Sequence, residues 1–438
     1  MEHQSPTDPD AQIHSNNNHP YEQLTPDCII SAVESQGYRS DARILALNSY
    51  ENRVYQVGIE EQSPLIAKFY RPNRWTDEQI REEHRFTLEL AALEIPVVPP
   101  LVNDQSQTLM EYSGFRFSLY SRQGGHTPEL DNLENLVVLG RFLGRIHAAG
   151  SQSLFTHRPT VDIQSYGIDS VNFLSGGIPN DSNYHLNDNL NNAFNNTPNN
   201  KGTSGNSYGS ARSIDDDNFG NTVASSDQET LNDNIGNSFF DDSDNNNRFN
   251  QIESENNQDD QFTEQIDTAR PTEDFIPPEL RDSYRSLTED LLDRIQERFD
   301  AIAYRTIRLH GDCHPSNILW REDRPHFVDF DDARNGPAIQ DLWMLLSGSR
   351  SHQTNQISKI MEGYTQFHDF DPAELNLIES LRSLRIMQYA AWLARRWADP
   401  AFPRNFPWFN TTRYWSDHIL ELREQLAVIE EPSLELIK

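Results

Sequence analysis

Between Leu309 and Asp332 the chain sets one amide and several carboxylates at spacings that suit phosphoryl transfer. The stretch reads Leu309-His310-Gly311-Asp312-Cys313-His314-Pro315-Ser316-Asn317-Ile318-Leu319-Trp320, then a short polar segment, then His326-Phe327-Val328-Asp329-Phe330-Asp331-Asp332. The apolar runs Ile318 to Trp320 and Phe327 with Val328 flank turn residues from Glu322 to Pro325, the pattern of a β-hairpin. Such a hairpin brings Asn317, at the start of one strand, beside Asp329, at the end of its partner. Asp312 lies on the loop just before. An Asp on a loop of this kind can accept the proton of an acceptor hydroxyl, and an Asn five residues on can hold a metal ion. The cations that bridge nucleotide phosphates are hard and take oxygen ligands, usually one or two carboxylates plus phosphate and water. The expected roles are therefore Asp312 as base, with Asn317 and Asp329 as magnesium ligands. The plain alternative is a polar hairpin whose Asp and Asn residues merely cap turns. An H-x-D-x-x-x-x-N match joined to a hydrophobic-D-F-D strand end weighs against it.

Upstream elements must bring a nucleotide to this hairpin. Alternating residues predict strands over Arg43 to Leu47, Val54 to Ile59 and Leu65 to Tyr70. Lys68 lies mid-strand between Ala67 and Phe69. A cation there needs a phosphate or carboxylate partner if buried; its alternative is the solvated face of an edge strand. A helix over about Thr76 to Leu93 can supply a carboxylate, with Glu83 on the side of Phe86 and Leu90, and Glu82 as second choice. The loop from Asn48 to Arg53 has no glycine, and Glu51 in it should point away from phosphate, toward Arg53. A hairpin turns at Ser113-Gly114, and Ser121 to Gly125 follows as a hinge. Helices are expected over Leu133 to Ala149, Glu279 to Phe299, Ala338 to Gly348 and Leu375 to Trp397. Asp341 is placed to brace the catalytic loop, His147 reads as a core or cap histidine, and the aromatic run Trp397 to Trp415 reads as core more readily than as a substrate wall. Thr25-Pro26 opens a short helix, Thr25 as its cap.

Five blocks together carry a resemblance: Asn48-Ser49-Tyr50-Glu51-Asn52-Arg53-Val54-Tyr55, Lys68-Phe69-Tyr70-Arg71-Pro72, His310 to Asn317, Asp331-Asp332-Ala333-Arg334-Asn335-Gly336-Pro337, and Arg396-Trp397-Ala398-Asp399-Pro400-Ala401-Phe402-Pro403. They resemble the bacterial stress response kinase A family, within the aminoglycoside phosphotransferase and choline kinase-like superfamily. The resemblance implies an α+β, two-lobed protein-kinase-like fold: a small antiparallel sheet with one helix, then a mostly helical lobe. It places the N-lobe at residues 24–122 and the C-lobe at 123–438. It further implies an ATP-dependent Ser/Thr protein kinase, with Ser49 contacting the nucleotide phosphates, Lys68 holding the α- and β-phosphates, and Glu83 bracing Lys68.

Composition bounds the remaining possibilities. The chain has 438 residues and a formal net charge of −32, which argues against nonspecific binding to nucleic acid or anionic membrane. Its two cysteines, Cys28 and Cys313, form no disulfide framework and suit a reducing cytoplasm. Residues 1–20 lack the apolar core of a signal peptide. The expected state is a cytoplasmic monomer. Residues 1–23 read as a disordered tail, and 176–276 as a disordered insertion rich in Asn, Asp and Ser, with 17 acidic against 4 basic residues between Gly176 and Arg270. The short span between Asp332 and Ala338 leaves no room for the long activation segment of protein kinases. It favours a competing reading, a small-molecule kinase acting on an amino-alcohol or sugar. A pseudokinase scaffold is a third, opposed by the intact Lys68, Asp312, Asn317 and Asp329 set. The insertion supplies a first test. Replacing Gly177 to Thr268 by a short Gly/Ser linker is expected to leave the melting temperature and the turnover unchanged, because loop-closure entropy grows only by about 0.6 kcal/mol per doubling of length. A variant whose C-lobe unfolds would show that the segment carries structure.

Overall fold

Residues 21–47, 49–175 and 275–437 are described in the computed structural model of the chain, and they form two lobes. The expectations of disorder for residues 1–20 and 176–274 lie outside the described residues.

The N-lobe begins with α1 (Pro26–Glu34), whose first turn is closed by the Thr25 side chain accepting the Cys28 N–H at 3.2 Å. Five antiparallel strands follow in the spatial order β1-β2-β3-β5-β4: β1 (Ser40–Leu47), β2 (Arg53–Ile59), β3 (Leu65–Phe69), β4 (Met110–Tyr112) and β5 (Phe115–Ser121). The register sets Lys68 opposite Val54 on one side and Ser118 on the other, so β3 is central and the edge-strand alternative for Lys68 is excluded. Strand alternation sends Ala67 and Phe69 to one face, where they pack with Val57, Phe117 and the apolar side of α1. Lys68 is thereby turned to the opposite face. Helix α2 (Asp77–Ala92) opens with a reciprocal Thr76–Gln79 capping box. Its Phe86 and Leu90 reach into the C-lobe core, so the helix is shared between the lobes.

The C-lobe contains α3 (Leu133–Gly150), α4 (Asp169–Leu174) and α5 (Arg281–Ala301), then the segment from Thr306 to Pro337. Strand β6 (Thr306–Leu309) pairs antiparallel with β9 (Arg334–Pro337), and between them β7 (Ile318–Arg321) pairs with β8 (Arg324–Phe327) as the sequence predicts. The β7–β8 turn is two residues long, with Glu322 and Asp323 both at positive φ, 52° and 59°. That is the turn whose twist matches a hairpin, here built without glycine. Helices α6 (Ile339–Trp343), α7 (Arg350–Tyr364), α8 (Ile378–Arg396), α9 (Ala401–Asn405) and α10 (Thr412–Val428) complete the lobe.

Three departures from the expected boundaries bear on the core. Helix α6 stops at Trp343 rather than Gly348, because the chain tightens into i to i+3 bonds at Leu345 and Leu346 and both side chains turn into the core. Tyr21, assigned to the tail, is buried: its ring stacks on Phe115 and lies under the Arg53 guanidinium. Phe275 and Ile276, assigned to the insertion, are buried in the core with Phe409 and Trp397 around Phe275. In the aromatic run from Trp397 to Trp415, Phe402, Phe409 and Trp415 are fully buried, so much of it is core.

Helices α3 and α7 cross at backbone contact. A Cβ at Gly140 would overlap the carbonyl oxygen of Ile360, and one at Gly363 would overlap that of Val137. Backbone carbonyls inside helices cannot step aside as a side chain can. Gly140→Ala is therefore expected to destabilise the fold by about 1–3 kcal/mol or more, the cost of overpacking a core. A urea transition at the wild-type midpoint would contradict this crossing.

Candidate active site

The loop from His310 to Asp312 is fixed from behind. Asp341, on α6, accepts the backbone N–H groups of His310 and Gly311, each at 2.8 Å. Asp341 is fully buried and also meets His147 Nε2 at 3.1 Å, while His147 Nδ1 meets the Tyr364 hydroxyl at 2.8 Å. His147 is thus a core histidine that holds the residue holding the loop. The His310 ring lies against Phe330 and donates from Nε2 to the Val328 carbonyl at 2.8 Å, tying the loop to the end of β8. Gly311 has φ +85°, and a Cβ there would overlap the Asp332 carbonyl oxygen, so only glycine fits.

Asp312 follows at once. Its Oδ1 lies 2.6 Å from Arg385 Nη1 of α8, and its Oδ2 lies 3.5 Å from His314 Nε2. Burial pushes its carboxyl up, but Arg385 and His314 outweigh burial and hold it well below the usual carboxylate range. Asn317 donates from Nδ2 to the Asp312 carbonyl at 2.9 Å. Its amide oxygen is thereby turned away from that bond. Asp329 adopts the left-handed conformation, φ 58° and ψ 61°, an uncommon one for a residue with a side chain. That kink leaves the Asp329 carboxylate half exposed while its Oδ1 meets Lys68 Nζ at 2.8 Å. The amide oxygen of Asn317 and the carboxylate of Asp329 form an all-oxygen donor pair suited to a hard divalent cation. Among the described residues no cluster of three or more His, Cys, Asp or Glu side chains offers a self-sufficient metal cage. A cation held here needs phosphate and water to fill its shell, as a nucleotide-bound cation does.

Lys68 is buried and also lies 3.2 Å from Asp331 Oδ1. Burial lowers its pKa, but Asp329 and Asp331 overcome this, so it is charged. The expected brace from Glu83 takes a different form. Glu83 faces inward on α2, yet the ion-pair contacts of Lys68 are with Asp329 and Asp331. Burial raises the Glu83 carboxyl to about 7 despite Lys68 and Arg158, so near neutrality much of it is protonated and a weak counter-charge. Glu82, the second choice, accepts the backbone N–H groups of Thr156, His157 and Arg158 at 2.6–2.8 Å, joining α2 to the C-lobe.

Ser49 lies partly buried on the β1–β2 loop, which is pinned on its far side. Asn52 donates to Asp331 Oδ2 at 3.1 Å and accepts the Arg71 N–H at 3.1 Å. Glu51 is held by Arg396 at 2.9 Å, Arg71 at 3.2 Å, Arg74 at 3.7 Å and the Trp392 indole N–H, and not by Arg53, the partner expected. Arg53 and Arg71 instead share Asp399, at 3.4 and 2.6 Å. Arg74 bridges Asp331 and Asp332, and Arg158 Nη1 donates to the Asp331 carbonyl at 2.6 Å. Burial pushes Asp331 up, but Arg74, Lys68 and Arg158 hold it far below the usual carboxylate range. Arg74, Arg158 and Arg385 were not anticipated. Arg158 stands in an Arg-Pro-Thr triplet that marks a fixed turn, whereas nothing in the helical sequence around Arg385 marks it.

Comparison with known proteins agrees with this geometry. Residues 43–168 and 244–378 match the model of a family described as phosphotransferase enzyme family. The chain is 36% identical over 416 residues to stress response kinase A of Escherichia coli, spanning 95% of this chain and 97% of the relative. The chain belongs to this family. It is an ATP-dependent kinase of the stress response kinase A type. A Salmonella typhimurium relative, named serine/threonine protein kinase RdoA, is 35% identical over 418 residues, with the same coverage of both chains. Among solved structures, a microcompartment-associated aminopropanol kinase covers 91% of this chain and 96% of its own at a TM-score of 0.51 and 12% identity, a likeness of fold. Within this kinase the blocks Asn48 to Tyr55, Lys68 to Pro72 and Arg396 to Pro403 meet in one ion network between the lobes.

The network is testable through its most buried pair. Arg71→Met or Asp399→Asn alone removes one member of a shared cluster in which Asp399 keeps Arg53 and Arg71 keeps Glu51, and each is expected to cost about 1–3 kcal/mol in denaturant unfolding. The double variant should recover part of that, with a coupling of about 0.5–3 kcal/mol. Purely additive losses would mean that the pair does not act as one.

Proposed function

We propose that this kinase transfers the ATP γ-phosphoryl to the hydroxyl of a serine or threonine in a protein, with Asp312 as the base. The observation that carries the reading is that Asp312, Asn317, Asp329 and Lys68 lie around the β7–β8 hairpin, Lys68 bonded to Asp329 and Asn317 to Asp312, in a chain 35–36% identical to relatives of which one is named a serine/threonine protein kinase. Lys68 supplies the cation for the α- and β-phosphates, and the Ser49 hydroxyl and N–H donate to phosphate from the β1–β2 loop. Asp312 orients the acceptor hydroxyl and takes its proton as the bond to phosphorus forms. Asn317 and Asp329 would hold a magnesium ion, which when bound would supply charge neutralisation to the transferring phosphate. Asp329 fits that role better than Asp331, which is buried under Lys68, Arg74 and Asn52. We place the enzyme in the cytoplasm as a monomer. Both cysteines are unpaired, and no helix among the described residues is long and apolar enough to cross a membrane.

One observation favours a second reading. Strand β9 runs into α6 with only Ala338 between, so no long segment lies there to receive a peptide. A small hydroxyl acceptor, an amino-alcohol or sugar, is the competing substrate. Labelled ATP with protein acceptors and a panel of small alcohols separates the two, and phosphate on alcohols alone would overturn the protein-kinase reading.

The roles predict distinct losses. Asp312→Asn is expected to bind nucleotide nearly as wild type and to turn over about 10²–10⁴ times more slowly. Asp329→Ala should lose activity even at saturating ATP, whereas Asn317→Ala should regain part of it with excess magnesium. Near-normal turnover in Asp312→Asn would remove it as the base, and unchanged Mg·ATP calorimetry in Asp329→Ala would remove it as a ligand.

A further inference from the structure

The two carboxylate oxygens of Asp312 have different surroundings. Oδ1 is out of contact with solvent, and the Arg385 guanidinium lies 2.6 Å from it, as an ion contact rather than an aligned hydrogen bond. The side chain as a whole is still 22% exposed, which leaves Oδ2 as the oxygen an acceptor can reach. His314 Nε2 stands 3.5 Å from Oδ2, longer than an N–H···O bond of ordinary strength. An acceptor hydroxyl that donates to Asp312 must therefore do so at Oδ2.

The group that holds Oδ1 is rooted in the core. Arg385 stands on α8 between Leu384 and Ile386, both buried, and Arg382, Ser383 and Met387 beside them are buried too. The root of this arginine cannot shift unless the helix moves. The last torsion of an Asp side chain is broad when nothing restrains it. With a guanidinium fixed at Oδ1, turning the carboxylate breaks the ion contact, so one setting is kept. The same helix also holds the β1–β2 loop, where Trp392 donates to Glu51 and Arg396 pairs with it at 2.9 Å. Arg385 and Arg396 are eleven residues apart, about 16 Å of helix at 1.5 Å per residue. One rigid element thus fixes both the Asp312 carboxylate and the β1–β2 loop.

We propose that Arg385 is a positioning residue for phosphoryl transfer: by holding Oδ1 of Asp312 it aims Oδ2 at the acceptor hydroxyl. The inference rests on the reading of Asp312 as the base. In the transfer the acceptor oxygen bonds to the γ-phosphorus, the bond from that phosphorus to the bridging oxygen breaks, ADP leaves, and the hydroxyl proton passes to Oδ2. Arg385 forms and breaks no bond. Its charge is matched by Asp312, and the role needs no charge to spare. It acts through Asp312 alone, so its loss falls on kcat and leaves nucleotide binding in place.

The test uses the full chain with Mg·ATP and reads hydrolysis of labelled ATP, with water as acceptor, beside transfer to casein and to 1-amino-2-propanol. Arg385→Met is expected to lower kcat about 10- to 100-fold for each acceptor that wild type uses, the cost of a base misplaced by about 1 Å, while Mg·ATP binding in calorimetry stays at the wild-type level. Arg385→Lys should recover part of the rate, and methylguanidine in solution should restore part of it to Arg385→Ala. The Asp312→Asn background shows whether Arg385 works through the base. There, Arg385→Met should cost at most about threefold more, because residues that act as a unit are not additive. Should Arg385→Met melt far below wild type, Arg385→Gln takes its place in both backgrounds. Wild-type turnover on loss of Arg385, or the full loss repeated in the Asp312→Asn background, overturns the role of Arg385 and leaves Asp312 standing as the base. Near-normal turnover in Asp312→Asn itself overturns both.

Discussion

Carboxylates are drawn out of water where the lobes meet, and the fold depends on the arginines that neutralise them. Glu51, Asp331 and Asp399 have side chains at most 11% exposed, and Arg71 and Arg74 on the facing side are at 7% and 13%. A buried charge without a partner is among the most costly defects a fold can carry. The segment after β3, from Arg71 to Arg74, therefore cannot leave the C-lobe without stranding charge on both sides. That constraint sets where the β1–β2 loop lies, because Glu51 and Asn52 are members of the same network. It also sets where Lys68 points, because Asp331 is shared between Lys68 and Arg74.

The loop that carries Asp312 is held by a second and separate device. Asp341 uses one oxygen for the His310 N–H and the other for the Gly311 N–H. A carboxylate that accepts backbone N–H groups in a buried setting makes strong charge-assisted bonds. His147 and Tyr364 fix Asp341 in turn, and both sit where α3 and α7 cross through glycines. The close helix crossing and the geometry of Asp312 are thus consecutive links of one chain of contacts. The left-handed residue Asp329 is tied to the same loop through Val328 and His310. Loop and strand end are positioned by the core, and the lobes are joined by charge.

Much of this was legible in the sequence, for physical reasons. Hairpin β7–β8 announces itself by two short apolar runs around polar turn residues, and its ends had to bring Asn317 and Asp329 together. Helix α2 was marked by its apolar face through Phe86 and Leu90, whereas the central placement of Lys68 was left open against an edge strand and is settled only by the pairing of β3 with β5. What stayed hidden depended on contacts distant in sequence. Glu83 was chosen for its helical side, which is correct, but helical phase does not reveal that Asp329 and Asp331 approach Lys68 from the other lobe. Tyr21 looked like tail because a single aromatic in a polar stretch has no period. Its burial comes from Phe115 and Arg53, both far along the chain. Arg385 was invisible for the same reason, since an arginine among the polar positions of a long helix carries no local mark.

The lack of glycine in the β1–β2 loop follows from the charge network. Protein kinases cover the phosphates with a Gly-rich loop, whose backbone is permissive and must be ordered when nucleotide binds. Here the β1–β2 loop carries Ser49-Tyr50-Glu51-Asn52 instead, and two of these four are fastened to the C-lobe by side-chain bonds. Side chains at these positions can do what glycine cannot, namely hold the loop from its far side. The ordering entropy of this loop is then met on folding, which is the general advantage of preorganisation. The same fastening requires a cation for Glu51 and a donor for Asp331, supplied by Arg396 and Arg71 for the first and by Asn52 for the second. A loop of this composition therefore needs the Arg396 to Asp399 corner in the distant C-lobe, and the two stretches make sense only as a pair.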